Sequence, residues 1–456
     1  MTPTEKIAHF ISAYSLEEMP PEAGNRAKTA IMDWAGVTLL GSSQESVRIV
    51  ERLVKTLGES PQTTLLGTKS KTSVPFAALV NGTASHALDY DDTNPVIMSH
   101  PSVQLLPGLL ALGEYEHRSG KEILLAYVLG FEVGAKIGRA INPNLVYQGW
   151  FPVGVLGTYM QAAACAKLLR LDADQTRMAL GLSTNVASGL RSNNGTMAKH
   201  LMAGQVGSNG VLAALLAREG MTANAKALED RFGLFENFSR GDLSALGKSI
   251  ESLGKPLDIL ESGISYKLYP CCAGSHTAID CALDIVKKHP VKPEQIEEIQ
   301  VSLNSRVKFL LIHPRPKTPN EAQFSLEYCV ARAILDGKIQ WEQFSPEKIQ
   351  EPALASLVQK VKPSYYEAPA LKSGKGAILS PTEMVIKMKD GATLSARVER
   401  AKGTASNPIS LAELEDKFRQ CCRGRLSAAR VEQALEQFRN FEKLKDMAEL
   451  METLSP

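Results

Sequence analysis

Apolar residues recur at three- and four-residue spacing through most of the first 260 positions. Lys121 to Ile141 (KEILLAYVLGFEVGAKIGRAI) follows a Ser119-Gly120 break and predicts an amphipathic helix. Val153 to Leu171 is rich in Ala and Leu, and Asp172 offers an N-cap for a helix after it. Gly210 to Gly220 (GVLAALLAREG) reads as another helix, with small residues that permit close packing. Strand-like alternation is scarce before residue 260, so this part is expected to be all-helical. Near Gly263 the pattern changes. Ile296 to Val301 with Leu303 alternates as a strand, and Glu383 to Glu399 reads as a hairpin turning at Asp390-Gly391. Ala322 to Leu335 between them is helical in pattern, while Leu411 to Phe418 and Ala428 to Leu450 return to charged amphipathic helix. The fold expected is mostly α: a large all-helical domain (1–262), an inserted α+β lid domain (263–403), and a helical C-terminal segment (404–456) packing back on the first.

Composition narrows the function classes. The chain has 456 residues, 44% hydrophobic and 22% charged, which suits a folded protein with a sizeable core. A formal net charge of +2 provides no overall field for nucleic acid or an anionic membrane, so neither is expected as a partner. No apolar run reaches membrane-span length, and Met1 to Lys6 lacks the start of a secretory signal, so a cytoplasmic location is expected. The seven cysteines are odd in number, include two adjacent pairs and form no C-x-x-C. That pattern speaks against a disulfide framework, a zinc site or an iron–sulfur ligand set.

Four segments carry polar groups that could do chemistry. The first is His86-Ala87-Leu88-Asp89-Tyr90-Asp91-Asp92-Thr93, running to Ser99-His100-Pro101-Ser102. Three carboxylates in four positions repel one another; such a cluster is ordinarily a solvated helix end, and no second carboxylate cluster supports a magnesium site. His100 precedes a proline, which biases it out of helix, and a loop histidine beside carboxylates is a candidate general acid or base. The second is Gly195 to Gly204, where flanking glycines let backbone approach a ligand and Lys199 could meet a carboxylate; on a generic helix start this lysine would be a surface residue. The third, Ser265 to Cys272 with His276 following, lies where composition changes, a favoured place for pockets. Its cysteines read as buried fillers. The fourth, Glu321 to Cys329, opens a helix and offers Tyr328, an aromatic that could equally be core.

Taken in order, D-Y-D-D-T with S-H-P-S, G-x-x-x-K-x-L, K-x-Y-P-C-C-x-x-x-H and E-A-Q-F-S-L-x-Y resemble the MmgE/PrpD family along nearly the whole chain. The family includes 2-methylcitrate dehydratase, cis-aconitate decarboxylase and iminodisuccinate epimerase. The resemblance implies a homodimer with an active site between a helical domain and a lid, working on di- and tricarboxylates without metal or organic cofactor. Unlike aconitase-type dehydration, where iron is the Lewis acid, protein groups would then carry the charge. Position by position, it implies His100, Asp89, Lys199 and Lys267 as catalytic residues, with Asp89 orienting His100. Thr93, Tyr328, Phe151 and His276 would bind substrate.

The chain also departs from the family pattern. Trp150-Phe151-Pro152 stands where many relatives have G-[FW]-H-P, so one protic group is absent, which counts against cis-aconitate decarboxylation. Met202 replaces a second histidine, and Val103 after Ser102 departs from the dehydratase H-P-S-D. These changes imply a more apolar pocket and a substrate with fewer charged groups, or a one-base isomerisation. The leading expectation is a metal-independent lyase, a dehydratase or decarboxylase of a 2-methylcitrate- or cis-aconitate-like acid. The alternatives are an isomerase or epimerase of a dicarboxylate and an inactive polycarboxylate-binding protein.

Overall fold

The computed structural model describes residues 1–58, 60–239, 243–367 and 380–456. It is mostly helical with a smaller α+β part. The elements that position the site are α1 (Pro21–Gly41), α2 (Glu45–Leu57), α3 (Val74–His86), α4 (Pro101–Tyr115), α5 (Gly120–Ile141), α6 (Pro152–Leu168) and α7 (Met197–Arg218). A two-rung antiparallel ladder, Thr63–Thr64 with Lys71–Thr72, interrupts the otherwise helical first part.

Local chemistry sets these helices. Ser119 and Glu122 form a reciprocal capping box at the start of α5, and Asp172 does the same with Gln175 for the helix Ala173–Ser183 between α6 and α7. Helix α6 is buried on nearly every side, which explains why its sequence is Ala-rich without a polar face. Helices α3 and α7 approach at backbone distance. A Cβ on Gly82 would lie 2.6 Å from the Gly204 Cα, and one on Gly204 would lie 2.1 Å from the Leu79 carbonyl oxygen. Gly204 therefore serves helix packing, not ligand approach.

The α+β part begins with α8 (His276–Lys288) and contains β1 (Ile296–Asn304), α9 (Leu326–Asp336), β2 (Val361–Tyr366), β3 (Thr382–Met388) and β4 (Thr393–Val398). The strands lie in the order β2-β1-β3-β4, with β1 parallel to β2 and antiparallel to β3. The β3–β4 hairpin closes through Gly391, whose φ of 88° suits glycine. The helical stretch expected over Ala322 to Leu335 is broken at Gln323–Ser325, because the Ser325 hydroxyl accepts from the Tyr328 N–H and starts α9 afresh.

At the C-terminus α10 (Leu411–Cys422) is followed by α11 (Ala428–Arg439) and α12 (Met447–Thr453). Ala428 to Leu450 is thus two helices: Asp446 and Glu449 form a capping box that begins a new one. Leu414, Phe418, Leu435 and Met447 join the same apolar core as Ile31, Leu105 and Val155, whereas Ile279, Val301, Val330 and Ile386 belong to a separate core. Among the described residues no helix is long and apolar enough to cross a membrane.

Candidate active site

The acidic segment after α3 is buried, contrary to the reading of a solvated helix end. Asp89, Asp91 and Asp92 are each at most 2% exposed, and each has a different partner. Asp89 adopts a left-handed backbone (φ 49°), a conformation Asp tolerates better than most residues. Its carboxylate receives two ammonium groups: Lys199 Nζ lies 2.5 Å from Oδ1 and Lys267 Nζ lies 2.9 Å from Oδ2. Lys267 also donates to the Asp89 carbonyl oxygen at 2.8 Å. Burial opposes the charge on Asp89, but the two ammonium groups outweigh it and hold the carboxyl well below its usual range. Burial likewise opposes the charge on Lys267, and Asp89 reverses that effect and raises its pKa.

Three contacts bring these residues together. Lys199 stands in the first turn of α7, which the Gly82–Gly204 approach presses against α3. Thr93 and Ser265 exchange backbone hydrogen bonds of 2.8 and 2.9 Å, which ties the acidic loop to the segment carrying Lys267 two residues on. From the C-terminal segment, Lys417 pairs with buried Asp33 at 2.7 Å, donates to the Tyr90 carbonyl at 3.0 Å and sits over the Tyr90 ring.

The carboxylate beside His100 is Asp91, not Asp89. His100 is the N-cap of α4, outside the helix as its place before Pro101 implies. Its Nδ1 lies 2.8 Å from Asp91 Oδ2, within ion-pair distance but out of line for a hydrogen bond. His86 Nδ1 reaches the same oxygen at 3.0 Å in good hydrogen-bond geometry. Burial opposes the charge on Asp91, and the two imidazoles more than compensate, placing it well below the usual carboxylate range. Burial, aided by the Lys199 charge, pushes His86 down to about 4, so its ring is neutral near pH 7. Asp92 accepts from the Ser102 N–H at 3.1 Å and the Ser102 hydroxyl at 2.5 Å, fixing the start of α4. Burial lifts Asp92 to about 8.

Ligating atoms of His86, Asp89, Asp91 and His100 all lie within 4.8 Å of one another, close enough to suggest a metal. Asp89, however, is already neutralised by two ammonium groups, and an added cation would have to sit beside both of them. Lys199 and Lys267 balance the charges of Asp89 and Asp91, and the 13% exposed His100 imidazole is the most accessible of these side chains.

Of the residues chosen from sequence, His100, Asp89, Lys199 and Lys267 form this cluster, Thr93 ties it together by its backbone, and Phe151 borders it. The Phe151 ring is 5.9 Å from Lys199 Nζ and stacks on His86 at 6.2 Å between centroids. Tyr328 stands elsewhere: its hydroxyl donates to the Gln343 carbonyl inside the core of the α+β part. From that motif it is Phe324, released by the break before α9, that reaches Lys199, at 5.3 Å. His276 is also turned to other partners, with Nε2 3.2 Å from the Cys271 carbonyl and its ring against Tyr269. Sequence reasoning missed His86, Asp91 as a histidine partner, and Phe324. The five-residue step from His86 to Asp91 across a helix end was the available signal.

Fold and site together define a mostly helical protein with a buried cluster of two lysines and two aspartates, at whose edge an imidazole meets a carboxylate. The chain belongs to the MmgE/PrpD family: the family's N-terminal domain matches residues 5–246 and its C-terminal domain residues 269–443. It is 31% identical to the cis-aconitate decarboxylase of Homo sapiens over 98% of this chain and 93% of the relative. It is 30% identical to the enzyme of that name from Mus musculus, over 99% and 93% respectively. To the Aspergillus terreus cis-aconitate decarboxylase it is 27% identical, over 99% and 96%.

Proposed function

We propose that this protein is a lyase that acts on a small polycarboxylate of the cis-aconitate or 2-methylcitrate type by general acid–base proton transfer. The observation that carries the reading is the convergence of Lys199, Lys267 and His100 from three separate stretches of chain on the neighbouring buried carboxylates of Asp89 and Asp91. Relatives named cis-aconitate decarboxylase, similar over nearly their whole length, support it.

The division of labour follows from charge. Loss of carbon dioxide leaves an electron pair on the adjacent carbon, delocalised toward a neighbouring carboxylate. Ammonium groups fixed in a site shielded from water stabilise that charge without reorganising. Asp89 keeps both lysines charged and in place. His100, the accessible imidazole, delivers the proton to carbon in decarboxylation, or moves it between carbon and leaving hydroxyl in dehydration. In this reading no metal takes part. Residues 263–403 act as a lid domain over the helical body, bringing Phe324 over Lys199 and excluding water on closure. The protein is proposed to be cytoplasmic and to work as a homodimer. Exposed Ile49, Leu53 and Leu57, which line one face of α2, suit a partner surface.

The test is incubation with cis-aconitate, 2-methylcitrate and smaller dicarboxylates in deuterium oxide, with and without EDTA. Release of carbon dioxide or a new alkene, unaffected by EDTA, supports the proposal. Solvent deuterium in recovered acid of unchanged formula, without either product, would instead establish an isomerase. Inactivation by EDTA with rescue by a divalent ion would overturn the metal-free reading.

A further inference from the structure

His86 lies in the site yet has no part in the scheme above, and its surroundings are unusual. It is fully buried, its ring stacks on Phe151, and its Nε2 has no hydrogen-bond partner among the described residues. An unpartnered acceptor in such a place costs stability that an apolar side chain of similar size would not. What His86 gains in return is one aligned hydrogen bond, from Nδ1 to Asp91 Oδ2 at 3.0 Å.

That oxygen is also the one 2.8 Å from His100 Nδ1. The two imidazole rings stand edge-on, 4.8 Å between centroids. Of the two contacts to Asp91 only the one from His86 is well aligned, so His86 fixes the carboxylate and the carboxylate faces His100. We propose that His86 is a positioning residue: through Asp91 it sets the orientation of the His100 ring and limits how strongly that ring holds its proton. The inference rests on the reading of His100 as the proton-transfer group.

The chemistry is that of a shared acceptor. Because Asp91 is ionised, the neutral His86 ring must carry its proton on Nδ1 to donate to it. That donation draws negative charge away from the oxygen that would otherwise hold an imidazolium at His100. Among the described residues, the other charged or titratable groups facing this trio are Asp89 and Asp92 on the same loop, Lys199 and His200 on α7, Lys267 from the junction segment, and Asp33 on α1, itself paired with Lys417. Phe151 closes the remaining side without a charge.

Two variants and one measurement on the unaltered protein test this. Nitrogen-15 NMR of the histidine-labelled protein should show His86 as the neutral Nδ1–H tautomer; a proton on Nε2 overturns the proposal. His86→Asn retains a donor near the Nδ1 position and should keep the pH profile of turnover. His86→Leu removes the donor. Its profile should move to higher pH by about one unit, the ordinary spread that environment imposes on histidines. Its kcat should fall by about 10²-fold with KM little changed, the lower end of what positioned proton transfer contributes. A folded His86→Leu enzyme with an unmoved profile overturns the proposal, and if that variant does not fold, the tautomer and His86→Asn decide. Full turnover in His100→Asn would remove the proton-transfer reading itself, and this inference with it. A His100-dependent enzyme whose profile ignores His86 would remove this inference alone.

Discussion

Lys199 Nζ and Asp89 Oδ1 lie 2.5 Å apart although 110 residues separate them in the chain, and both side chains are about 3% exposed. Burying such a pair gains little over apolar packing, but removing one partner strands the other charge at a cost of about 3–5 kcal/mol. Asp89 serves two lysines, so the losses should be unequal. Asp89→Asn leaves two ammonium groups without a counter-charge and should destabilise most. Lys199→Met or Lys267→Met leaves Asp89 still paired and should cost less. Urea unfolding of the three variants measures the order; an Asp89→Asn protein as stable as the parent would show that the cluster does not form in solution.

The same variants separate binding from chemistry. On the proposed reading Lys199→Met and Lys267→Met remove a charge that would meet substrate before and during reaction, so KM should rise and kcat fall together. They should also lose most of the thermal stabilisation that a polycarboxylate gives the parent. His100→Asn should behave differently, with kcat reduced by about 10²–10⁴-fold and ligand-induced stabilisation largely kept. Steady-state kinetics with a thermal-shift titration checks both, and a His100→Asn enzyme of normal kcat would remove His100 from the mechanism.

Much of this was legible in the sequence. The helical pattern gave the large helical part, because a buried apolar stripe at 3.6-residue spacing leaves a trace that any reader can count. The β3–β4 hairpin was legible from Asp390-Gly391 and the alternation around it. His100, Lys199 and Lys267 were chosen from motif order, and the structure gathers them around Asp89 and Asp91. The partners were harder to read. Which aspartate meets which cation depends on the left-handed turn at Asp89, a single backbone angle with no sequence pattern of its own. Tyr328 and Phe324 were exchanged for a similar reason: the break before α9 decides which aromatic points at Lys199, and that break is one Ser325 cap. Burial of the whole acidic cluster was not legible, because it is produced by contacts from α7, the junction segment and α10, all distant in sequence.

Stability should respond to pH on both sides of neutrality. His86 is held down to about 4 by burial and the Lys199 charge, against about 6.5 in an unfolded chain. Its contribution is therefore complete above 6.5 and lost as pH falls toward 4, because the unfolded chain takes up a proton the folded one refuses. His200, lowered to about 3 chiefly by burial, acts in the same direction. Asp92 is the reverse: burial raises it to about 8 from 3.8, so its contribution is complete below 3.8 and lost as pH rises through 8. The limiting slope is about 1.4 kcal/mol per pH unit for one group. Asp92→Asn keeps a neutral amide beside Ser102 and should remove a falling slope that runs from 3.8 to about 8; the histidines oppose that slope below 6.5, so the flattening of a Tm-against-pH curve should be plainest between 6.5 and about 8. A slope between 6.5 and about 8 identical to the parent's would show that Asp92 is ionised in the folded protein.

Phe151 is where the pocket's substrate preference can be tested most directly. It is the N-cap residue of α6, lies 5.9 Å from Lys199 Nζ and offers no proton, where the resemblance to the family implies a histidine. On the proposed reading, a polycarboxylate held by Lys199 would set one carboxylate or hydroxyl against this ring, where it loses water without gaining a hydrogen bond. The loss is heavier for an acid with three charged groups than for one with two, so the parent enzyme should favour the smaller acid. Phe151→His supplies the missing donor next to an existing ammonium group. A hydrogen bond to a charged group contributes about 1.5–3 kcal/mol, so the ratio of kcat/KM for a tricarboxylate over a dicarboxylate should rise by about tenfold or more. Some stability should be lost, since a buried phenyl ring is exchanged for an imidazole. The ratio is the quantity to measure, because a general loss of folded protein cancels from it. A ratio unchanged in a folded Phe151→His enzyme would place Phe151 outside the substrate's reach and return the selectivity to Lys199 and Lys267 alone.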